Sequence, residues 1–201
     1  GYYNVPTESI NEGFGGNATC FAVYSGGTQR ASIYTEGFAV RYKMKTTRNG
    51  CYLVNVRADD GVRVSLNGTA ILDKWQDQGV RSYDNALVSL DGNDDFVLDY
   101  YENGVGNEVG FTITPFDLST NTITPATSNI CSGTTVVLNG SSYLVYGAAN
   151  TSLTFQWESA PSSTGPWTNT GVTTEDYTVS PTITTYYRRI VKGTTANNSG
   201  C

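Results

Sequence analysis

Histidine is absent from the 201-residue chain and methionine occurs once. Without histidine there is no His-based nucleophilic triad, no His general base and no usual zinc ligand set. Basic residues are scarce, with 12 Lys and Arg against 18 Asp and Glu for a formal charge of −6, and they form no run. That balance argues against nucleic acid or an anionic membrane surface as the main partner. No apolar stretch approaches the roughly 20 residues of a membrane-spanning helix, which argues against direct membrane insertion. The four cysteines, Cys20, Cys51, Cys131 and Cys201, have no Cys-x-x-Cys spacing, so a zinc ribbon or thioredoxin motif is not expected. They read as two structural disulfides formed in an oxidising compartment, or as four inert buried thiols. With no signal peptide in the sequence, Gly1 is expected to begin the mature part of a longer secreted protein.

Helical periodicity is nearly absent as well, whereas period-2 alternation recurs. In the run from Cys51 to Ala58, Tyr52, Val54, Val56 and Ala58 share one face. In the next run Val62, Val64 and Leu66 alternate with Arg63 and Ser65, and the dipeptides Asp60-Gly61 and Asn67-Gly68 flank it as hairpin turns do. Further strands are expected at FAVYS, GFAVRYKM, TAIL, ALVSL, DFVLDYY and VGFTITPF. Short strands punctuated by Gly, Asn and Asp predict an all-β sandwich or barrel. Composition shifts at 117–129, a Thr/Ser/Asn/Pro stretch. Up to Thr120 there are 15 acidic and 9 basic residues, and beyond it 3 of each. Two domains are therefore expected, 1–117 and 118–201. In the second, TTVVLNG, LTFQWES, DYTVS and TYYRRIVKG read as strands, with Trp157 mid-strand as a core tryptophan.

Two segments carry the candidate chemistry. ADDG (58–61) places the carboxylates of Asp59 and Asp60 side by side, and DYYENGVGNEVGF (99–111) supplies Asn103 within a glycine-bracketed loop. On residue types alone the acidic pair suits either a polar hairpin tip with Asx-turn hydrogen bonds or an oxygen-seeking cation such as Ca2+. The acids of DGNDD (91–95) are spaced unevenly and read as a solvated turn. The alternation of Tyr186, Tyr187, Arg188 and Arg189 reads as a strand.

These motifs resemble the protective-antigen-type sandwich domain, a family that includes the lectin domains of fungal flocculins and of bacterial surface adhesins. The similarity runs from about Tyr2 to Phe116. It rests on the Gly50–Tyr52 strand, Ala58-Asp59-Asp60-Gly61, Asn67-Gly68, and Asp73 with Trp75. The resemblance implies a cis peptide between Asp59 and Asp60, and a Ca2+ site formed by Asp59, Asp60, Asn103 and the carbonyls of Val105 and Asn107. It further implies that sugar hydroxyls complete the shell, with Tyr101 and Gln76 beside Asp59, Asp60 and Asn103 as ligand-binding residues and Glu102 and Asn107 also available near the ion. Trp75 of the Asp-x-Trp element is expected to pack as structure, with stacking on a sugar as the alternative. The second half, from about Thr122, resembles immunoglobulin-like repeats of Bacteroidetes-type secreted adhesins. That resemblance implies a Cys131–Cys201 pair and a final strand following Cys201, supplied by the same chain or by a neighbour. Cys20 with Cys51 then remains as a staple within the first domain.

The expectation is thus an all-β protein of two β-sandwich domains in tandem, a jelly-roll-like lectin sandwich and then an immunoglobulin-like one. Its expected function is Ca2+-dependent adhesion to cell-surface or extracellular glycans, as a module of a larger secreted or surface protein. Neighbouring copies in a filament are a further expected partner. A fibre repeat without lectin activity and an accessory module of a secreted glycosidase are the alternatives. The chain itself is not expected to be an enzyme. Glycoside hydrolysis needs two carboxylates about 5–9 Å apart on opposite sides of the scissile bond, which adjacent residues on one loop do not provide.

Overall fold

The structure, a computed structural model, describes residues 7–116, 121–126, 129–142, 152–197 and 200–201. All regular elements among them are strands, and no described helix is long and apolar enough to cross a membrane. The first ten strands are β1 (Ile10–Gly13), β2 (Cys20–Ser25), β3 (Thr28–Tyr34), β4 (Phe38–Thr46), β5 (Asn49–Asp59), β6 (Gly61–Leu66), β7 (Thr69–Lys74), β8 (Arg81–Asp91), β9 (Asp94–Glu102) and β10 (Glu108–Pro115). They form two antiparallel sheets, ordered β1-β10-β5-β8 and β4-β9-β6-β7, with β2 and β3 as a separate hairpin. The alternation seen in the sequence decides which faces meet. Val54, Val56 and Ala58 of β5 and Val62, Val64 and Leu66 of β6 are all buried in one core, with Phe111 of β10 and Leu98 of β9.

The Asn67-Gly68 turn joins β6 to β7, with Leu66 opposite Thr69, and both turn residues have positive φ, as a two-residue hairpin of this kind requires. Asp60-Gly61 is different. β5 pairs with β10 and β8, whereas β6 pairs with β7 and β9. The chain therefore crosses from one sheet to the other at this point and makes no hairpin there. In the DGNDD turn Asp94 is buried, not solvated. Its carboxylate accepts from the Asp91 amide and from Asn67 Nδ2.

The second set comprises β11 (Ile123–Thr124), β12 (Val136–Gly140), β13 (Ser152–Ala160), β14 (Thr168–Asn169), β15 (Tyr177–Val179) and β16 (Tyr186–Thr194). Two three-stranded sheets, β11-β12-β15 and β14-β13-β16, enclose Leu138, Trp157 and Val179. Trp157 is fully buried, and its indole N–H donates to the Thr174 carbonyl at 2.9 Å. Arg189 is buried too, its guanidinium held by Asn121, Ser141 and the Glu175 carbonyl, so it is a structural tie between loops. The boundary expected at 117/118 lies outside the described residues.

The disulfide pattern corrects the expectation. Cys51 is bonded to Cys201, whereas Cys20 and Cys131 are exposed free thiols. The reason lies in how the end of β16 returns. Gly193 and Cys201 exchange backbone hydrogen bonds at 2.9 and 3.0 Å, and Gly200 bridges Thr194. Gly200 and Cys201 thus lie antiparallel to the end of β16, and no longer strand is seen on that side among the described residues. The same segment covers the open edge of β8. Ala196 N donates to Leu87 O at 2.8 Å, and the Asn197 amide bonds both the Ser89 carbonyl and the Ser89 amide. Cys51 lies opposite Ser89 on β5, which brings its Cα 6.0 Å from that of Cys201. Cys20 starts the peripheral β2 and Cys131 precedes β12, and neither approaches a second thiol.

Candidate functional site

Inward-facing residues of β9 recur at every second position, Asp94, Phe96, Leu98, Tyr100 and Glu102, and all are buried. Glu102 is thus the last core-facing residue of its strand, at the end of the sandwich where the chain crosses between sheets. Its floor is aromatic. Phe14, Phe21, Phe38 and Tyr100 contact one another with ring centres 5.0 to 5.9 Å apart. Above this floor one carboxylate oxygen from each of Asp59, Asp60 and Glu102 lies within 4.8 Å of the others. The Asp59–Asp60 peptide is cis.

Each carboxylate is held differently. Asp60 is 6% exposed. Its Oδ1 accepts from Gln78 N at 2.8 Å and its Oδ2 from Asn103 N at 2.9 Å. Gln78 Nε2 donates to the Asp60 carbonyl at 2.9 Å. Asp59 is half-buried and faces the 103–107 loop, so closely that a Cβ on Gly106 would stand 2.7 Å from Asp59 Oδ2. Glycine at 106 is what lets the loop close over this carboxylate. Burial, then the charges of Asp60 and Glu108, push the Asp59 carboxyl above its ordinary range.

Glu102 is 1% exposed, and its Oε1 has no hydrogen-bond partner. Burial pushes its carboxyl up to about 7, aided by the charges of Asp60 and Asp59 and opposed by Tyr100 and the Gly104 amide. The Tyr100 hydroxyl lies 2.5 Å from the Asp59 carbonyl and 3.0 Å from Glu102 Oε2. A hydroxyl carries one hydrogen, so Tyr100 donates to only one of these two oxygens at a time. Burial and the Glu102 charge also raise the Tyr100 hydroxyl.

Of the residues expected to hold a cation, Asp59 and Asp60 form the pocket. Asn103 binds Asp60 through its backbone, while its side-chain Nδ2 donates to Asp77 Oδ2 at 2.9 Å. The Asn107 side chain is buried with Oδ1 accepting from Phe14 N at 3.0 Å and Nδ2 unpartnered. Val105 is 72% exposed with φ of 80°, a conformation that is strained for a β-branched residue. Its amide donates to Glu36 Oε2 at 3.0 Å, and Glu36 Oε1 accepts from Ala18 N, itself at positive φ. Glu36 therefore clamps two left-handed residues on neighbouring loops. Val105→Gly is expected to raise stability by about 1 kcal/mol, because the strain is relieved and little packing is lost. Urea unfolding measures this, and a clear loss would mean that the side chain is anchored.

Of the other expected ligand-binding residues, Tyr101 and Gln76, only Tyr101 is tied to the site by a described contact. The Tyr101 hydroxyl donates to Asp77 Oδ1 at 2.7 Å and is pushed up to about 12 by burial and by that carboxylate. Gln76 is exposed. Trp75, expected to pack as structure, is 41% exposed. It lies on the outer face of the sheet against Tyr101 and beneath the Arg63 guanidinium. Reading the sequence missed Glu36, Asp77 and Gln78, and took Glu102 only as available near the ion, without a ligand role. For Glu102 a signal existed, because it keeps the inward phase of Phe96, Leu98 and Tyr100. For the other three there was none, since their roles arise from loops packed across the sandwich end.

No family model matches the chain, and no curated protein is similar to it. Among solved structures, one named as an anti-sigma factor domain-containing protein is similar at 11% identity and a TM-score of 0.35. The match spans 86% of this chain and 91% of that one, and the resemblance is too distant to bear on fold or function.

Proposed function

We propose that the chain is a Ca2+-dependent glycan-binding adhesion module of a larger secreted or cell-surface protein, built on a sandwich of the protective-antigen type. One observation carries the reading: Glu102 is buried with an oxygen that nothing satisfies, and it shares a 4.8 Å cluster with Asp59 and Asp60. Among the described residues, no ion pair joins these three carboxylates to a lysine or arginine. Uncompensated buried carboxylates are costly, and oxygen donors of this number and hardness suit Ca2+. Asp59, Asp60 and Glu102 would hold the ion. Asn103 and the carbonyls of Val105 and Asn107 are the further donors on the loop, and sugar hydroxyls take the positions left to water. The ion would supply neutralising charge and open coordination positions. The chain supplies the rigid cup, with Asp60 fixed by two amides and the loop held by Glu36.

A disulfide in the fold supports an oxidising, extracellular setting. The three carboxylates bring one oxygen each to within 4.8 Å of the others, as ligands of a single cation do, which supports binding. Clamping of the two sandwiches through Cys51–Cys201, Ala196 and Asn197 favours a second reading, a stiff repeat of an extracellular fibre.

Calorimetric titration of Ca2+ into chelator-stripped protein tests the proposal. Saturable binding is expected, and Asp59→Asn/Asp60→Asn should weaken it at least about 100-fold by removing two of three anionic ligands. Heat that persists unchanged in the double variant would sink the site. Ca2+ binding without any glycan binding would leave the fibre reading.

A further inference from the structure

We propose that the surface selecting the sugar is a ledge of Trp75, Asp77 and Tyr101 beside the acidic pocket, and that it accepts a neutral saccharide; this rests on the Ca2+ reading above. The ledge is tied to the pocket on two sides. Asn103 is shared, its backbone amide on Asp60 and its side-chain amide on Asp77. Gln78, next to Asp77 in the chain, binds Asp60 through both its amide and its side chain. A hydroxyl-bearing ligand anchored at Asp60 is therefore one side chain away from Asp77.

The chemistry of the ledge suits a sugar ring. Trp75 lies 4.6 Å from Tyr101, centre to centre, with the rings tilted by 57°. The Arg63 guanidinium sits 4.4 Å from the Trp75 ring centre and is itself held by Asp99 at 2.9 Å. The indole is thus held between Arg63 and Tyr101 while 41% of the residue stays exposed, and this exposed aromatic surface is what would meet the C–H groups of a pyranose. Asp77 is exposed, and each of its oxygens accepts one hydrogen bond. A carboxylate has about four acceptor positions, so two remain for sugar hydroxyls.

Charge decides which saccharides enter. Asp59, Asp60, Asp77 and Glu36 lie around the site, with the buried Glu102 at its base, and Glu108 beside them is paired with Arg57. Arg63 shares Asp99 with Arg41, so this trio keeps one positive charge. A divalent ion and that cation together cancel three of these five charges, so the mouth stays negative and repels carboxylated or sulfated sugars.

The full chain, with and without Ca2+, is titrated by calorimetry with methyl glycosides of galactose, mannose, fucose and glucose. N-acetylneuraminic acid and glucuronic acid are the anionic probes, and melting curves report folding of each variant. At least one neutral glycoside is expected to bind while both acids do not. Trp75→Ala is expected to weaken neutral-sugar binding about tenfold with Ca2+ affinity within about threefold, and Asp77→Asn to weaken it and narrow the discrimination against the acids. Sugar binding indifferent to both substitutions, equal binding of the acids, or no sugar bound by the Ca2+-loaded parent would overturn the ledge. Sugar binding that is lost in Trp75→Ala but indifferent to chelation would uphold the ledge and remove the Ca2+ reading.

Discussion

The Cys51→Ser/Cys201→Ser double variant is expected to lose about 5 kcal/mol of stability. The bond closes a loop with a sequence separation of 150 residues, and in the chain-entropy account a loop of that length is worth about 5 kcal/mol through the unfolded state. The bond also holds the segment that covers β8, where Ala196 joins the core of the first sandwich and Asn197 satisfies both backbone groups of Ser89. Gly193 packs there as well, since a Cβ on it would stand 2.4 Å from Leu87 Cδ2. Urea unfolding of the double variant against the parent measures the loss, and the same shift should follow reduction of the parent. Peptide mapping without reductant should find Cys51 linked to Cys201, with Cys20 and Cys131 open to alkylation. A Cys131–Cys201 peptide, or a loss below about 1 kcal/mol, would contradict the arrangement of the two sandwiches.

In chelator, stability is expected to fall as pH rises from about 5 to 8. Glu102 is raised from 4.5 to about 7 in the folded state, so between those values the native protein binds more proton than the unfolded chain. Stability then decreases with rising pH. A displacement of that size corresponds to up to about 3 kcal/mol, present below the unfolded value and lost once Glu102 ionises in place. Asp59, also raised, adds to the same trend at lower pH. Glu102→Gln is isosteric and carries no charge. It should match the parent at pH 5, exceed it at pH 8 in chelator, and flatten most of the slope. Ca2+ should remove the slope in the parent and stabilise Glu102→Gln less. Denaturant midpoints across this range give the answer. A flat parent profile in chelator would show that the Glu102 carboxylate is satisfied when charged, and the main support for the cation site would go with it.

The all-β class and the core faces of β5 and β6 were legible in the sequence because side-chain direction alternates along any strand. Burial on one side then leaves a local period of two. The hairpin at Asn67-Gly68 was legible for a similar local reason, since its backbone conformation favours those residues. Asp60-Gly61 looked equally like a turn, but a dipeptide with turn chemistry does not say whether the chain folds back in one sheet or crosses to another. Asp59 and Asp60 were visible as a pair. Their third partner, Glu102, was visible only as an acid available near them, because the aromatic floor of Phe14, Phe21, Phe38 and Tyr100 is assembled from four separate segments.

What the sequence determined by itself was therefore everything carried by near neighbours: the strands, their inward faces, the Asn-Gly turn, the buried Trp157 and the adjacent carboxylates. Tertiary structure decided the pairing of Cys51 with Cys201, the exposure of Trp75, the clamp at Glu36 and the charge state of Glu102. Each of these depends on which distant segments share a volume. Sulfur pairing, desolvation and hydrogen bonds across loops are set by spatial proximity, and residue spacing along the chain does not encode it.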